Sequence, residues 1–145
     1  MILKILNKSN YETPRYETGG SAGFDLRVNI DSSIIIPAHG KTGLLPTGLF
    51  MEIPQGYEGE ARPRSGLACK HGITLANSPG TIDSDYRGEV MVCLVNNSNE
   101  DYVLNPGERV AQMLIKPVIQ VEIQEVTELT DTDRGIGGFG STGKN

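Results

Sequence analysis

Cysteine and histidine are scarce in this chain. Two cysteines, Cys69 and Cys93, stand far apart without CxxC spacing, and only two histidines accompany them. A zinc site is therefore not expected, and buried free thiols in a reducing compartment are the better reading. No apolar run approaches the ~18 residues that a membrane span needs. The opening Met1-Ile2-Leu3-Lys4-Ile5-Leu6-Asn7-Lys8 is too short and too interrupted for a secretion signal. Neither membrane insertion nor export is expected, which leaves the cytoplasm as the default. Lysine–arginine clusters are missing too, and the net charge is −5. A nucleic-acid surface needs a basic face, so no nucleic-acid partner is expected. An anionic ligand would have to be met by local positive charge or by an accompanying cation.

Long helical periodicity is also absent. The chain has 145 residues, enough for one domain with a real core. Eighteen glycines and eight prolines punctuate it at short intervals. Between them lie strand signals. Ile34-Ile35-Ile36 is a β-branched run stopped by Pro37, and Ile119 to Gln124 alternates apolar and polar residues in strict period two. Val90 to Val95 is a continuous apolar run that reads as a strand buried on both faces, ended by the polar turn Asn96-Asn97-Ser98-Asn99. Asn105-Pro106-Gly107-Glu108 has turn chemistry, and only Ser65 to Lys70 could form a short helix. Many short strands with frequent turns predict an all-β sandwich or barrel.

Residues 131–145 differ from the rest. Glycine dominates and a single aromatic remains, so the segment cannot bury a core of its own and is expected to be mobile. Gly135, Gly137 and Gly140 match GxGxxG, and Gly138 to Lys144 match GxxxxGK. Both patterns need a following helix whose N-terminus meets the phosphates. With Asn145 last, none is expected, and Ser or Thr is missing after Lys144. Both readings fail, but glycine still lets backbone N–H groups approach an anion, and Arg134, Ser141 and Thr142 add donors. The tail reads either as a lid over a nucleotide or as an idle linker.

Three segments combine charge with tight turns: Ser21 to Leu26 with the lone Asp25, Arg62 to Ala68 with two arginines and a serine around Pro63, and Gly80 to Gly88 with Asp83 and Asp85 in a glycine-bounded, hairpin-like turn. Alone, each is an ordinary solvated turn or surface salt bridge. In order, together with Arg109-Val110-Ala111-Gln112-Met113-Leu114-Ile115 and with Arg134 to Gly143, they closely resemble the five motifs of the trimeric dUTP diphosphatases, over residues 22 to 143. Phe24 is the one departure, where the family more often has tyrosine, leucine or methionine; that position is expected to pack.

The resemblance implies a jelly-roll-like β-barrel (a β-clip) over residues 1–130, a homotrimer with active sites shared between subunits, and a lid over residues 131–145. It implies Mg²⁺-dependent hydrolysis of dUTP to dUMP and pyrophosphate. Asp83 would be the general base that positions and deprotonates the attacking water, and Asp25 would hold Mg²⁺ through a water molecule, which answers the charge puzzle. Arg64, Ser65, Gly66 and Gln112 map onto phosphate contacts. Asn77, Thr81 and Ile82 would line the uracil slot, with Met91 at its inner end, and Tyr86 would exclude a ribose 2′-hydroxyl. Phe139 would stack on the base, and Arg134, Gly140, Ser141 and Thr142 would close on the terminal phosphate. Asp85 and Arg87 are expected to pair, Arg109 to pair with a carboxylate, and His39, His71 and the cysteines to be bystanders. A dCTP deaminase-like relative is disfavoured, because its second serine and arginine and its glutamate have no counterparts in Ser65-Gly66-Leu67-Ala68 and Asn77-Ser78-Pro79-Gly80. A non-catalytic nucleotide sensor is disfavoured because Asp83 and the tail are intact.

Overall fold

A computed structural model describes residues 1–138; Phe139, Gly140, Ser141 and Thr142 lie outside the described residues. Eleven short strands and one helix follow in the order β1 (Lys4–Asn7), β2 (Phe24–Arg27), β3 (Ile34–Ile36), β4 (Leu45–Glu52), β5 (Tyr57–Pro63), α1 (Ser65–His71), β6 (Ile73–Leu75), β7 (Gly80–Ile82), β8 (Glu89–Val92), β9 (Leu94–Asn96), β10 (Tyr102–Leu104) and β11 (Arg109–Pro117). The expectation of a mostly β fold holds. Closure into a barrel does not: among the described residues the strands form four open sheets, β1-β4-β8, β10-β3, β2-β11-β5-β7 and β6-β9. The strands are too short, and change partners too often, for one continuous ladder to close on itself.

The sheets enclose one core, in which Leu26, Ile36, Ile73, Leu94, Leu104 and Met113 are fully buried. Phe24 packs there as expected, edge-on to Tyr16. The buried Asn96 is satisfied at both ends. Its Nδ2 donates to the carbonyls of Ile36 and Glu100, and its Oδ1 accepts from Ser98. The anticipated turn after β9 is thus pinned from inside.

Several sequence expectations need correcting. The apolar run Val90 to Val95 is not one strand buried on both faces. It breaks at Cys93 between β8 and β9, which belong to different sheets, and Met91 on the outer face of β8 is 42% exposed. Ile119 to Gln124 forms no strand, because the chain leaves the sheet at Pro117 and meets no partner edge; Ile119 and Ile123 are 87% and 91% exposed. The thiols are not both buried. Cys69 is exposed on the short α1, whose inward residue is Leu67, and Cys93 is half-buried with its Sγ donating to the Thr42 carbonyl at 3.1 Å.

Glu60 is buried in β5 between two cations, Lys116 (Nζ–Oε2 2.8 Å) and Arg62. Hydrogen bonds from Lys116, then Arg62, hold its carboxyl below the ordinary 4.5. A carboxyl with a depressed folded-state pKa adds stability above its unfolded value, and loses it as the pH falls through the folded one. Glu60→Gln is therefore expected to lower the melting temperature at neutral pH. The melting temperature of the variant should also fall less steeply than that of the parent below pH 4.5, as scanning calorimetry across pH 3–7 would reveal.

Candidate active site

Strand β11 is the spine of the four-stranded sheet, with β2 on one side and β5 on the other. Its Gln112 lies opposite Asp25 of β2 and opposite Arg62 of β5. Arg64 follows directly after β5. Its Nε donates to Asp25 Oδ1 at 3.0 Å, and its Nη1 to the Arg109 carbonyl at 3.1 Å. Arg109 Nη1 donates to the other oxygen of Asp25 at 3.1 Å, so the carboxylate predicted for Arg109 is Asp25. The Gln112 amide donates to the Pro63 carbonyl at 3.0 Å, leaving its Oε1 free among the described residues. Ser65 and Gly66 open α1, where the first N–H groups have no carbonyl one turn back. A Cβ at Gly66 would meet nothing within 4 Å. Packing within the chain therefore does not require glycine there. Close approach of a ligand or of another chain accounts for it better.

The structure thus brings Asp25, Arg64, Ser65, Gly66 and Gln112 together as one polar surface with two guanidinium groups. Both arginines bond one carboxylate, which leaves a net positive charge for an anion.

The second group of predicted residues lies elsewhere. Strand β7, with Thr81 and Ile82, pairs with β5 at Gly59–Ala61. The chain then turns, with the Tyr86 N–H donating to the Asp83 carbonyl at 3.1 Å. The two arms of this turn do not pair with each other, so the hairpin expectation is corrected: β7 joins the β5 sheet and β8 the β4 sheet. Tyr86 donates its hydroxyl to the Glu89 carbonyl at 3.0 Å, and its ring lies over Gly88, where a Cβ would come within 2.3 Å of the phenol oxygen. Asp85 and Arg87 form no ion pair among the described residues. Arg87 instead donates to the carbonyls of Ser84 and Tyr86, which stiffens the turn. Asn77 is exposed beside Gly80, and Met91 lies on the neighbouring sheet opposite Pro46. Asp83 is exposed on a cleft of about 930 Å³ shared with Thr81, Arg87, Tyr57 and Gln120.

Asp83 follows Ile82, which sits opposite Gly59, whereas Arg64 lies beyond the other end of β5. Six residues of strand separate the two levels, on the order of 20 Å. One chain therefore does not bring Asp83 to the arginine surface. Arg134 sits in an exposed turn, where its Nε donates to the Gly137 carbonyl at 2.8 Å, and it bonds to neither group among the described residues. Glu108 and Tyr102, which hold the start of β11, were not legible as site residues; the sequence marks only the Asn105–Glu108 turn beside them.

The arginine-bearing surface has donors of the kind that hold phosphate or carboxylate oxygens. Residues 9–143 match the dUTPase family profile, and the chain belongs to that family. Curated relatives named deoxyuridine 5'-triphosphate nucleotidohydrolase include that of Nautilia profundicola, 58% identical with 99% of this chain and 100% of the relative covered. That of Fusobacterium nucleatum is 53% identical, with 98% and 97% covered. Among solved structures, the dUTPase of Staphylococcus bacteriophage 80alpha with dUPNHPP superposes with a TM-score of 0.86 at 24% identity, over 98% of each chain. The family expected from the five ordered motifs is borne out.

Proposed function

We propose that this chain hydrolyses dUTP to dUMP and pyrophosphate with Mg²⁺, as a homotrimer whose active sites combine residues of different subunits. The observation that carries the activity is family membership across residues 9–143 at 50–58% identity to dUTP nucleotidohydrolases. In this reading Asp83 positions a water and takes its proton as the water oxygen attacks the α-phosphorus. The bond from that phosphorus to the bridging oxygen breaks, and pyrophosphate leaves. Arg64, Ser65 and Gly66 hold the phosphates, with Gln112 on a phosphate or the water, and the developing charge falls on groups already placed to receive it. Asn77, Thr81, Ile82 and Met91 form the base slot, and Tyr86 blocks a 2′-hydroxyl. Arg134, Phe139, Gly140, Ser141 and Thr142 close the site as a lid over residues 131–145.

Asp25 suits a hydrated ion. Each of its oxygens accepts one arginine bond, which leaves lone pairs for a water molecule but no empty carboxylate. Among the described residues no cluster of three His, Cys, Asp or Glu could cage a metal. Magnesium keeps most of its waters and leans on phosphate oxygens, so the donor set fits it. When bound, it would neutralise the triphosphate of a substrate approaching an acidic protein.

The trimer is supported by two features. The Asp83 turn and the Arg64 surface are too far apart within one chain to act on the same substrate. The alternating segment after Pro117 exposes Ile119, Val121 and Ile123 without a partner strand, as a segment that pairs on a neighbouring subunit would. Among the described residues no helix is long and apolar enough to cross a membrane. A cytoplasmic enzyme of nucleotide metabolism follows from this reading: removing dUTP limits uracil incorporation into DNA, and the product dUMP feeds dTMP synthesis.

Pyrophosphate release with Mg²⁺ from dUTP, dCTP, dTTP and UTP tests the reading. Release is expected from dUTP far above the other three. Equal turnover of UTP would remove the Tyr86 role, and no release from dUTP would remove the enzyme reading altogether.

A further inference from the structure

Tyr102 does not belong to the arginine surface but is joined to it through Glu108 and the Arg109 that follows. From β10 its half-buried hydroxyl donates to Glu108 Oε1. The other oxygen of Glu108 accepts the Asn105 N–H at 3.1 Å, which closes the turn before β11. That turn is stitched to the end of β2: Val28 N–H donates to the Glu108 carbonyl at 3.0 Å, and Arg27 Nη1 to the Gly107 carbonyl at 2.8 Å. Gly107 sits at φ 73°, where a Cβ would come within 2.5 Å of the Tyr11 ring, so the turn has little room to rearrange. Arg109 comes next, ahead of a register shift between Arg109 and Ala111. Its side chain and its carbonyl oxygen together aim Arg64, the first through Asp25 and the second directly.

On its other side the Tyr102 ring lies 5.4 Å from that of His71, the last residue of α1, whose first residue is Ser65. Burial, and then the bond to Glu108, push the Tyr102 phenol above its ordinary pKa, while the charge of Arg64 opposes the shift. The phenol therefore stays a donor to Glu108.

We propose that Tyr102 is a positioning residue for the phosphate-binding half of the site: by holding Glu108 it fixes the turn from which Arg109 aims Arg64. This rests on the assignment of Arg64 to the phosphates. Without the hydroxyl, Glu108 Oε1 loses its donor, and the turn that sets Arg109 loses its side-chain tie to β10. Packing of the ring against His71 survives the loss of one oxygen, so the effect separates from folding.

Tyr102→Phe is expected to raise KM for dUTP about two- to tenfold, the worth of one hydrogen bond, with kcat nearly unchanged. A merely structural role would reduce the fraction of active protein and lower kcat at constant KM. Glu108→Ala is expected to raise KM at least as much, and adding Tyr102→Phe to it is expected to raise KM no further, because the hydroxyl acts only through that carboxylate. Calorimetric titration with tripolyphosphate reads the same site without turnover, and Tyr102→Phe should weaken it by the same factor. An unchanged KM, a fall in kcat alone, a further rise of KM in the double variant, or a parental protein that binds no tripolyphosphate would each overturn the proposal. A parental protein that binds tripolyphosphate and loses that affinity in Tyr102→Phe, yet releases no pyrophosphate from dUTP, overturns the dUTPase reading and leaves this one standing.

Discussion

Asp83→Asn is expected to lower kcat for dUTP by roughly 10²- to 10⁴-fold, the usual contribution of a positioned general base. Binding of a non-hydrolysable dUTP analogue should stay close to the parental value. The structure makes this substitution a clean probe. Asp83 is exposed, and its side chain makes no hydrogen bond among the described residues; the turn is held by backbone instead, through Tyr86 N–H to the Asp83 carbonyl and through Arg87 to the carbonyls of Ser84 and Tyr86. Asparagine keeps the shape and can still hold a water, but it cannot take a proton. Stopped-flow turnover paired with analogue calorimetry separates the two effects. A variant that kept most of its activity would move the base elsewhere, and Asp85, two residues on, would be the first carboxylate to examine.

How much of this was legible in the sequence depended on whether the signal was local. The Ile34-Ile35-Ile36 strand stopped by Pro37, the helix at Ser65 and the Asn105–Glu108 turn all follow from propensity and turn chemistry, and all three form. The strand at Ile119 to Gln124 fails for the opposite reason: period-two alternation says which face of a strand is apolar, not whether an edge exists to pair with. Val90 to Val95 misleads because a continuous apolar run looks alike whether one strand is buried on both faces or two strands in different sheets share a junction, as they do at Cys93. At the candidate site, the motifs single out residues but not their mutual placement. Asp25 and Arg64 are 39 positions apart and touch, whereas Asp83, nearer to Arg64 in sequence, lies at the far end of β5. The double arginine grip on Asp25 depends on strand register, which no single motif carries, and the Tyr102–Glu108 pair on how the chain doubles back through the Asn105–Glu108 turn.

That separation makes a second large effect testable. Asp83→Asn and Arg64→Ala should each be nearly inactive alone, the first for want of a base and the second for want of a phosphate ligand. Co-assembled in equal amounts, the two variants should recover activity. In a closed ring, a site that takes Asp83 from one chain and Arg64 from another is intact when the first chain is Arg64→Ala and the second is Asp83→Asn. With random mixing that arrangement occurs in about one site in four, and removing unmixed trimers through both tags raises it to about one in three, so about a third of parental activity is expected. If each site were built within one chain, every site would carry one lesion or the other, and mixing would restore nothing. The measurement needs differently tagged variants, co-expressed or refolded together and purified through both tags, with pyrophosphate release as the readout. Recovery would establish that the distance along β5 is bridged by assembly. Its absence in a verified mixed oligomer would require β7 and its turn to swing toward Arg64 within one chain, against the β5 pairing that holds Gly80–Ile82 in place.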